Sequence, residues 1–261
     1  MKKTTFICRL TLCILSILFY ACDDDEDFAA KYGSGNPLPE NITHLPDYEY
    51  SYNEQGLVSQ VRYVRTVYGP DNQPTQEREI MADITYPQSD RAVMIYRPGT
   101  TDQSTYVFAF GENHFANRII ETEFGESYLL KCHYDNEGHI IRFEQTEEEL
   151  KMEWTDGNLT KVIDDPGEYG AYTILTYSSR TDFATVKMNP FLTDVDMGPF
   201  TSQLNWWFER GLECALYVGF LGKHCVNLPA TLTSYDNQNE TPTKGHFEYH
   251  SDRWSFVEDY D

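Results

Sequence analysis

Tyr134-Asp135-Asn136-Glu137-Gly138-His139-Ile140-Ile141-Arg142-Phe143 is the stretch that decides the fold. One apolar run ends on an aromatic residue, four turn-forming residues follow, and a second apolar run begins. The phrase recurs as Trp154-Thr155-Asp156-Gly157-Asn158-Leu159-Thr160-Lys161-Val162-Ile163, and earlier as Tyr52-Asn53-Glu54-Gln55-Gly56-Leu57-Val58-Ser59-Gln60-Val61. A four-residue loop makes Tyr52 and Leu57, Tyr134 and His139, and Trp154 and Leu159 cross-strand partners. Side chains then alternate with a period of two. In the middle copy Tyr128, Leu130, Cys132, Tyr134, His139, Ile141 and Phe143 share one face, and Leu129, Lys131, His133, Ile140, Arg142 and Glu144 the other. In the first copy Tyr48, Tyr50, Tyr52, Leu57, Val61 and Tyr63 lie opposite Glu49, Ser51, Val58, Gln60 and Arg62. One apolar, aromatic face and one polar face is the pattern of an antiparallel sheet wetted on one side. The third copy slips, with Lys161 on the apolar side and Val162 on the polar one. A bulge near Asn158 would repair it.

Working outward, strands are expected at 48–52, 57–68, 77–86, 91–96, 104–110, 117–123, 126–134, 139–145, 149–154, 159–164 and 170–177, with a last hairpin at 246–250 and 254–258. Asp156-Gly157 is the strongest hairpin signal, and Gly56 and Gly138 fall where a positive φ is needed. Turns recur every eight to twelve residues or so, the all-β spacing, without the long helical patterns a parallel α/β sheet requires. After Asn189-Pro190-Phe191 the character changes. Residues 201–216 read as the one helix, capped by Thr201 or Ser202, with Leu204, Phe208, Leu212 and Leu216 on one face and Gly211 as its weak point.

The chain has 261 residues and a formal net charge of -22. That balance argues against nucleic acid, which needs clustered Lys and Arg, and against a basic membrane-docking patch. Residues 1–21 read as a signal peptide: Lys2 and Lys3 precede an apolar run that ends Phe19-Tyr20-Ala21-Cys22. This end resembles a bacterial lipobox, with Cys22 the residue that takes the lipid. Asp23-Asp24-Asp25-Glu26-Asp27 is a solvated acidic run, and 22–46 as a whole reads as an acidic, Gly- and Pro-rich tether. The run resembles the signal that sends Bacteroidetes lipoproteins to the outer face of the outer membrane, although in enteric bacteria an Asp after the Cys retains lipoproteins at the inner membrane. Residues 47–261 form a single β domain.

The hairpin phrases resemble YD-type repeats. With the export segment, Phe108-Ala109-Phe110 through Ile163, Asn189-Pro190-Phe191, and Gly219-Phe220-Leu221-Gly222-Lys223-His224-Cys225-Val226-Asn227-Leu228-Pro229, the chain resembles a Bacteroidetes lipoprotein family of unknown function with a porin-like fold. The resemblance implies an all-β fold: a meandering antiparallel sheet, curled or barrel-like, with one short helix near the C-terminal third and no known activity. It supplies no catalytic residues. "Porin-like" describes the shape, since the outer faces read as polar and the chain ends Tyr260-Asp261, unlike a membrane-spanning barrel.

Candidate chemistry is sparse. Cys132 falls on the apolar face and reads as a buried thiol. Cys214 and Cys225 would form a disulfide if the chain folds back between them, which spacing leaves open. His133 and His139 point to opposite faces, and no zinc-type spacing appears, so no metal and no cofactor is expected. Carboxylates such as Glu147-Glu148-Glu149 and Asp164-Asp165 sit at turns, where abundance alone explains them. Trp206 and Trp207 are the one suggestive ligand feature: they offer a platform for sugar rings, or else anchor the helix to the sheet. The expected protein is a surface-exposed outer-membrane lipoprotein with a non-catalytic binding or accessory role, a polysaccharide being the candidate ligand. The alternatives are a structural component partnering an envelope protein, and a carboxylate-dependent hydrolase.

Overall fold

The computed structural model describes residues 47–68, 72–145, 148–164, 171–192, 211–235 and 242–259. Fourteen strands form one antiparallel sheet in strict chain order: β1 (Tyr48–Tyr52), β2 (Val58–Tyr68), β3 (Pro74–Gln88), β4 (Arg91–Tyr96), β5 (Ser104–Phe110), β6 (Ala116–Glu123), β7 (Glu126–Tyr134), β8 (Ile140–Gln145), β9 (Glu148–Thr155), β10 (Asn158–Asp164), β11 (Ala171–Tyr177), β12 (Pro229–Tyr235), β13 (Thr243–Tyr249) and β14 (Trp254–Asp259). Among the described residues no pairing joins β14 back to β1, so the meander is open. Among the described residues two short helices, α1 (Phe183–Val186) and α2 (Leu212–Tyr217), lie in the connection from β11 to β12. The sheet curls around that connection. Phe220 packs against Tyr86, Phe108 and Phe110, and Tyr217 against Tyr48. One contiguous core therefore runs from β2 to β13 on the concave side.

The hairpin phrase becomes a repeated device at one end of the sheet. In β2, β6, β8, β10 and β12 one residue near the strand start has no partner on the preceding strand: Ser59, Asn117, Ile141, Thr160 and Ala230. Each is a bulge. The buried residues beside it are consequently three apart, not two: Val58 and Val61, Ala116 and Ile119, Ile140 and Phe143, Leu159 and Val162, Pro229 and Leu232. An extra residue disturbs the ladder, and a buried carbonyl left without a donor is costly. In all five cases an aromatic donor on the next strand bonds the carbonyl just before the extra residue. Tyr86 Oη donates to Val58 O at 2.9 Å, Tyr134 Oη to Ala116 O at 2.7 Å, Trp154 Nε1 to Ile140 O at 2.8 Å, and Tyr177 Oη to Leu159 O at 2.6 Å. Tyr249 Oη donates to Pro229 O in the same way. The exception supports the rule. Between β3 and β4 the register also shifts, but there Tyr86 and Pro87 on β3 stand opposite Ala92 alone, so the extra residue is on the preceding strand, and the corresponding position of β5 is Phe110, which has no donor.

The bulges also correct the expected pairing of the first two copies. Tyr52 pairs with Val58 and Tyr134 with Ile140, so Leu57 and His139 close the loops and do not open the strands. Asn53 Oδ1 accepts from the amides of Gln55 and Leu57, and Asp135 Oδ1 from those of Glu137 and His139, which holds both loops in the longer form. The third copy pairs Trp154 with Leu159 as expected, through a two-residue turn with positive φ at Asp156 and Gly157. Its bulge skips Thr160 and returns Val162 to the core.

The expected helix over 201–216 is not continuous. Gly211 has φ 106°, outside helical geometry, and α2 begins only after it; 201–210 lie outside the described residues. A side chain at Gly211 would strike Tyr96 and Tyr106, so the close approach and the positive φ both call for glycine. The sequence reading also missed α1 and the strand β12.

Candidate functional site

After α2 the chain steps from turn to turn across the bulged end. Ala116 N bonds Phe220 O, Lys223 N bonds Gly138 O, and Val226 N bonds Gly157 O, at 2.8, 3.0 and 3.2 Å. Asn158 Oδ1 accepts from the amides of Val226 and Asn227. This end of the concave face is thereby filled, and its titratable groups are committed to structure. His139 stacks on Trp154 at 4.5 Å and places Nδ1 3.0 Å from Asp135 Oδ2. Burial raises Asp135, but the bonds from His139 and the Glu137 amide outweigh it and hold the carboxyl below its ordinary value. His224 places Nδ1 2.7 Å from the Cys225 carbonyl, and burial lowers its pKa.

The expected disulfide is absent. Cys214 and Cys225 are both buried free thiols, Cys214 within α2 and Cys225 with Sγ 3.4 Å from Tyr177 Oη. Different surroundings claim each sulfur, and burial pushes Cys225 up to about 11 and Cys214 higher still. Cys132 is buried on the apolar face as its alternation implied. Cys22, Trp206 and Trp207 lie outside the described residues. Among the described residues no group of three or more His, Cys, Asp and Glu could hold a metal ion.

A carboxylate on α2 faces the interior. Glu213, on α2, accepts from Tyr217 Oη, and Tyr217 Oη accepts in turn from Asn189 Nδ2 at 2.8 Å. Burial raises Glu213 above the usual carboxylate range, with the Tyr217 bond working against it.

Among the described residues an open recess lies on the convex side. A groove of about 530 Å³ crosses β7 to β10, lined by His133, Tyr134, Ile141, Arg142, Lys151, Met152, Glu153 and Ile163. The β8 bulge builds it: with Ile140 and Phe143 buried, Ile141 and Arg142 both turn outward. Its cations are balanced by carboxylates. Arg142 Nη2 lies 3.0 Å from Glu144 Oε1 and 3.1 Å from His133 Nε2. Lys151 Nζ lies 2.6 Å from Glu149 Oε1, and Lys161 Nζ 3.8 Å from Glu153 Oε1. Partial desolvation raises Glu144, but Arg142, His133 and Lys131 outweigh it and keep the carboxyl below its usual range. The strand register continues the groove sideways: His133, Arg142, Lys151, Ile163, Tyr172 and Tyr235 are successive cross-strand partners. Tyr172 and Tyr235 stack at 4.4 Å with 14° between planes, and Lys161 Nζ sits 5.0 Å from the Tyr172 centroid. Beside this polar region lies an uncharged row, Val93, Val107, Ile120 and Leu129, also cross-strand partners. Sequence reasoning put His133, Arg142 and Leu129 on the wet face but gave them no role. Only the register aligns them with residues a hundred positions away.

No family model and no curated protein matches the chain. Among solved structures the chain is similar to a porin-like protein from Bacteroides uniformis, at 12% identity and a TM-score of 0.55, over 78% of this chain and 76% of that one. That likeness shows a shared fold.

Proposed function

We propose that this protein is a non-catalytic binding protein held by a lipid on Cys22 at the outer face of the outer membrane, with polysaccharide as its ligand. The observation that carries the reading is the groove on the convex face, an apolar floor rimmed by charge-balanced side chains, opposite described concave residues that form the core. The sheet is inverted relative to a membrane-spanning porin, whose lipid-facing side is apolar and whose interior is polar. Here Phe108, Phe143 and Leu150 point inward, while Arg118, Lys131, Glu144 and Lys151 point outward at mid-sheet. The acidic run after Cys22 and the porin-like neighbour support the location.

Affinity electrophoresis of the full chain in detergent, through gels cast with plant, host and microbial polysaccharides, tests the ligand. Retardation without release of reducing ends supports the reading, and free migration through every gel overturns it. Cys22→Ala should move the protein from the membrane fraction to the soluble one. The uncharged row Val93, Val107, Ile120 and Leu129, with Leu129 45% exposed, favours a second reading, an envelope protein docked on the convex face. In that case cross-linking on intact cells would trap one partner through Leu129→Cys.

A further inference from the structure

We propose that the ligand is an uncharged linear glycan, laid across the strands along the convex face from His133 to Tyr235. The inference rests on the glycan-binding reading above and adds the path and the chemical class.

The path follows from register. The row from β7 to β12 spans five inter-strand gaps of about 4.8 Å, roughly 24 Å in all. A chain of four or five sugar rings covers that distance. The groove occupies one end, with Ile141 and Ile163 as apolar floor for ring faces and Arg142, Lys151 and Glu153 at hydroxyl-bonding height. The stacked pair Tyr172 and Tyr235 occupies the other end. These rings are already ordered by each other and by Lys161, so contact with them costs little further side-chain entropy.

The class follows from charge. Arg142, Lys151 and Lys161 each have a carboxylate within 4 Å, in Glu144, Glu149 and Glu153. A uronate or sulfate would have to compete with these carboxylates for the cations, and the net charge of -22 repels polyanions at longer range. Paired donors and acceptors suit sugar hydroxyls, which both give and take hydrogen bonds.

The test uses the full chain in detergent, run through gels containing a neutral mixed-linkage β-glucan, a neutral mannan or polygalacturonate. Variants are Tyr172→Ala, Arg142→Ala and Lys151→Gln, with Arg65→Ala on the distant β2 ribbon as control, and melting curves verify that each variant folds. The expected result is retardation by a neutral glycan, weakened about tenfold or more in the first three variants and unchanged in the control. Retardation by a neutral glycan that survives all three variants overturns the path and leaves the binding reading standing. Preference for polygalacturonate overturns the class. No retardation by any polysaccharide overturns both this inference and the reading beneath it.

Discussion

Replacing Tyr134 with Phe removes one oxygen and tests the device that the sheet repeats five times. The Tyr134 hydroxyl donates to the Ala116 carbonyl at 2.7 Å, and Ala116 is fully buried. The Ala116 amide is already used by Phe220, so the residue ties the β6 bulge to the plug on one side and to β7 on the other. In Tyr134→Phe the ring keeps its stack on Phe115, at 5.2 Å between centroids, and packing is preserved. What is lost is the donor. A buried carbonyl left unpaired costs about 1–3 kcal/mol. In a domain of this size that is a fall in Tm of roughly 2–10 °C. The assay is thermal unfolding by circular dichroism at neutral pH, against Tyr68→Phe, whose ring is 67% exposed and should shift Tm by less than about 1 °C. Tyr86→Phe should resemble Tyr134→Phe, whereas Phe110→Tyr should gain nothing, because the extra residue at the β3–β4 shift lies on β3 and not on β4, the strand next to β5. Equal melting of Tyr134→Phe and Tyr68→Phe would refute the reasoning, since the clasp would then contribute nothing to stability.

Glu213 binds its proton more tightly in the folded state, so the unfolded chain gives up protons first and stability falls as pH rises above the unfolded value near 4.3. Glu213→Gln should raise Tm at pH 7 and lose that advantage near pH 4, measured by paired melts. Asp135 has the opposite sign: its folded pKa is depressed, so its stabilisation is present above the unfolded value near 3.9 and is lost as pH falls through the folded one. Asp135→Asn should therefore flatten the acid limb of the stability profile. Gly222 has φ 97°, and a side chain there would lie 2.7 Å from the Gly138 carbonyl, so Gly222→Ala should cost about 2 kcal/mol or more in denaturant titration. Peptide mapping after alkylation without reductant should recover Cys214 and Cys225 as free thiols.

The strands were legible because alternation and turn chemistry act locally. Asp156-Gly157 specifies its own two-residue turn, and the apolar residues of β5 and β7 declare a face without help from elsewhere. The bulges were legible only where alternation failed outright, at Lys161 and Val162. In the middle copy Ile140 and Ile141 are chemically identical, and strict alternation put Ile141 inward where the structure buries Ile140. The choice was made by Asp135, whose carboxylate lengthens the loop by one residue, and by Trp154, which bonds the Ile140 carbonyl. β12 was missed because it begins at a proline after a Gly-punctuated apolar run. Its reason for being a strand, pairing with β11 across fifty intervening residues, is entirely non-local. The groove was invisible for the same reason: no local pattern relates Arg142 to Tyr235.

The bulges connect the core to the candidate site. Each one buries residues three apart and so forces the two between them outward: Ser59 and Gln60, Asn117 and Arg118, Ile141 and Arg142, Thr160 and Lys161, Ala230 and Thr231. Five times the convex face receives a consecutive pair where a regular strand would present one residue. Only on β8 does that pair join a large apolar side chain to a charged one, with Ile163 and the Lys151 stem close by. Each of these five bulges is held by an aromatic donor on the next strand that bonds the carbonyl beside it. The same donor leaves the outward pair free to differ from copy to copy at little cost to the core. The repeat thus gives a rigid sheet with five places to vary, and the recess lies at the one whose outward residues combine floor and rim.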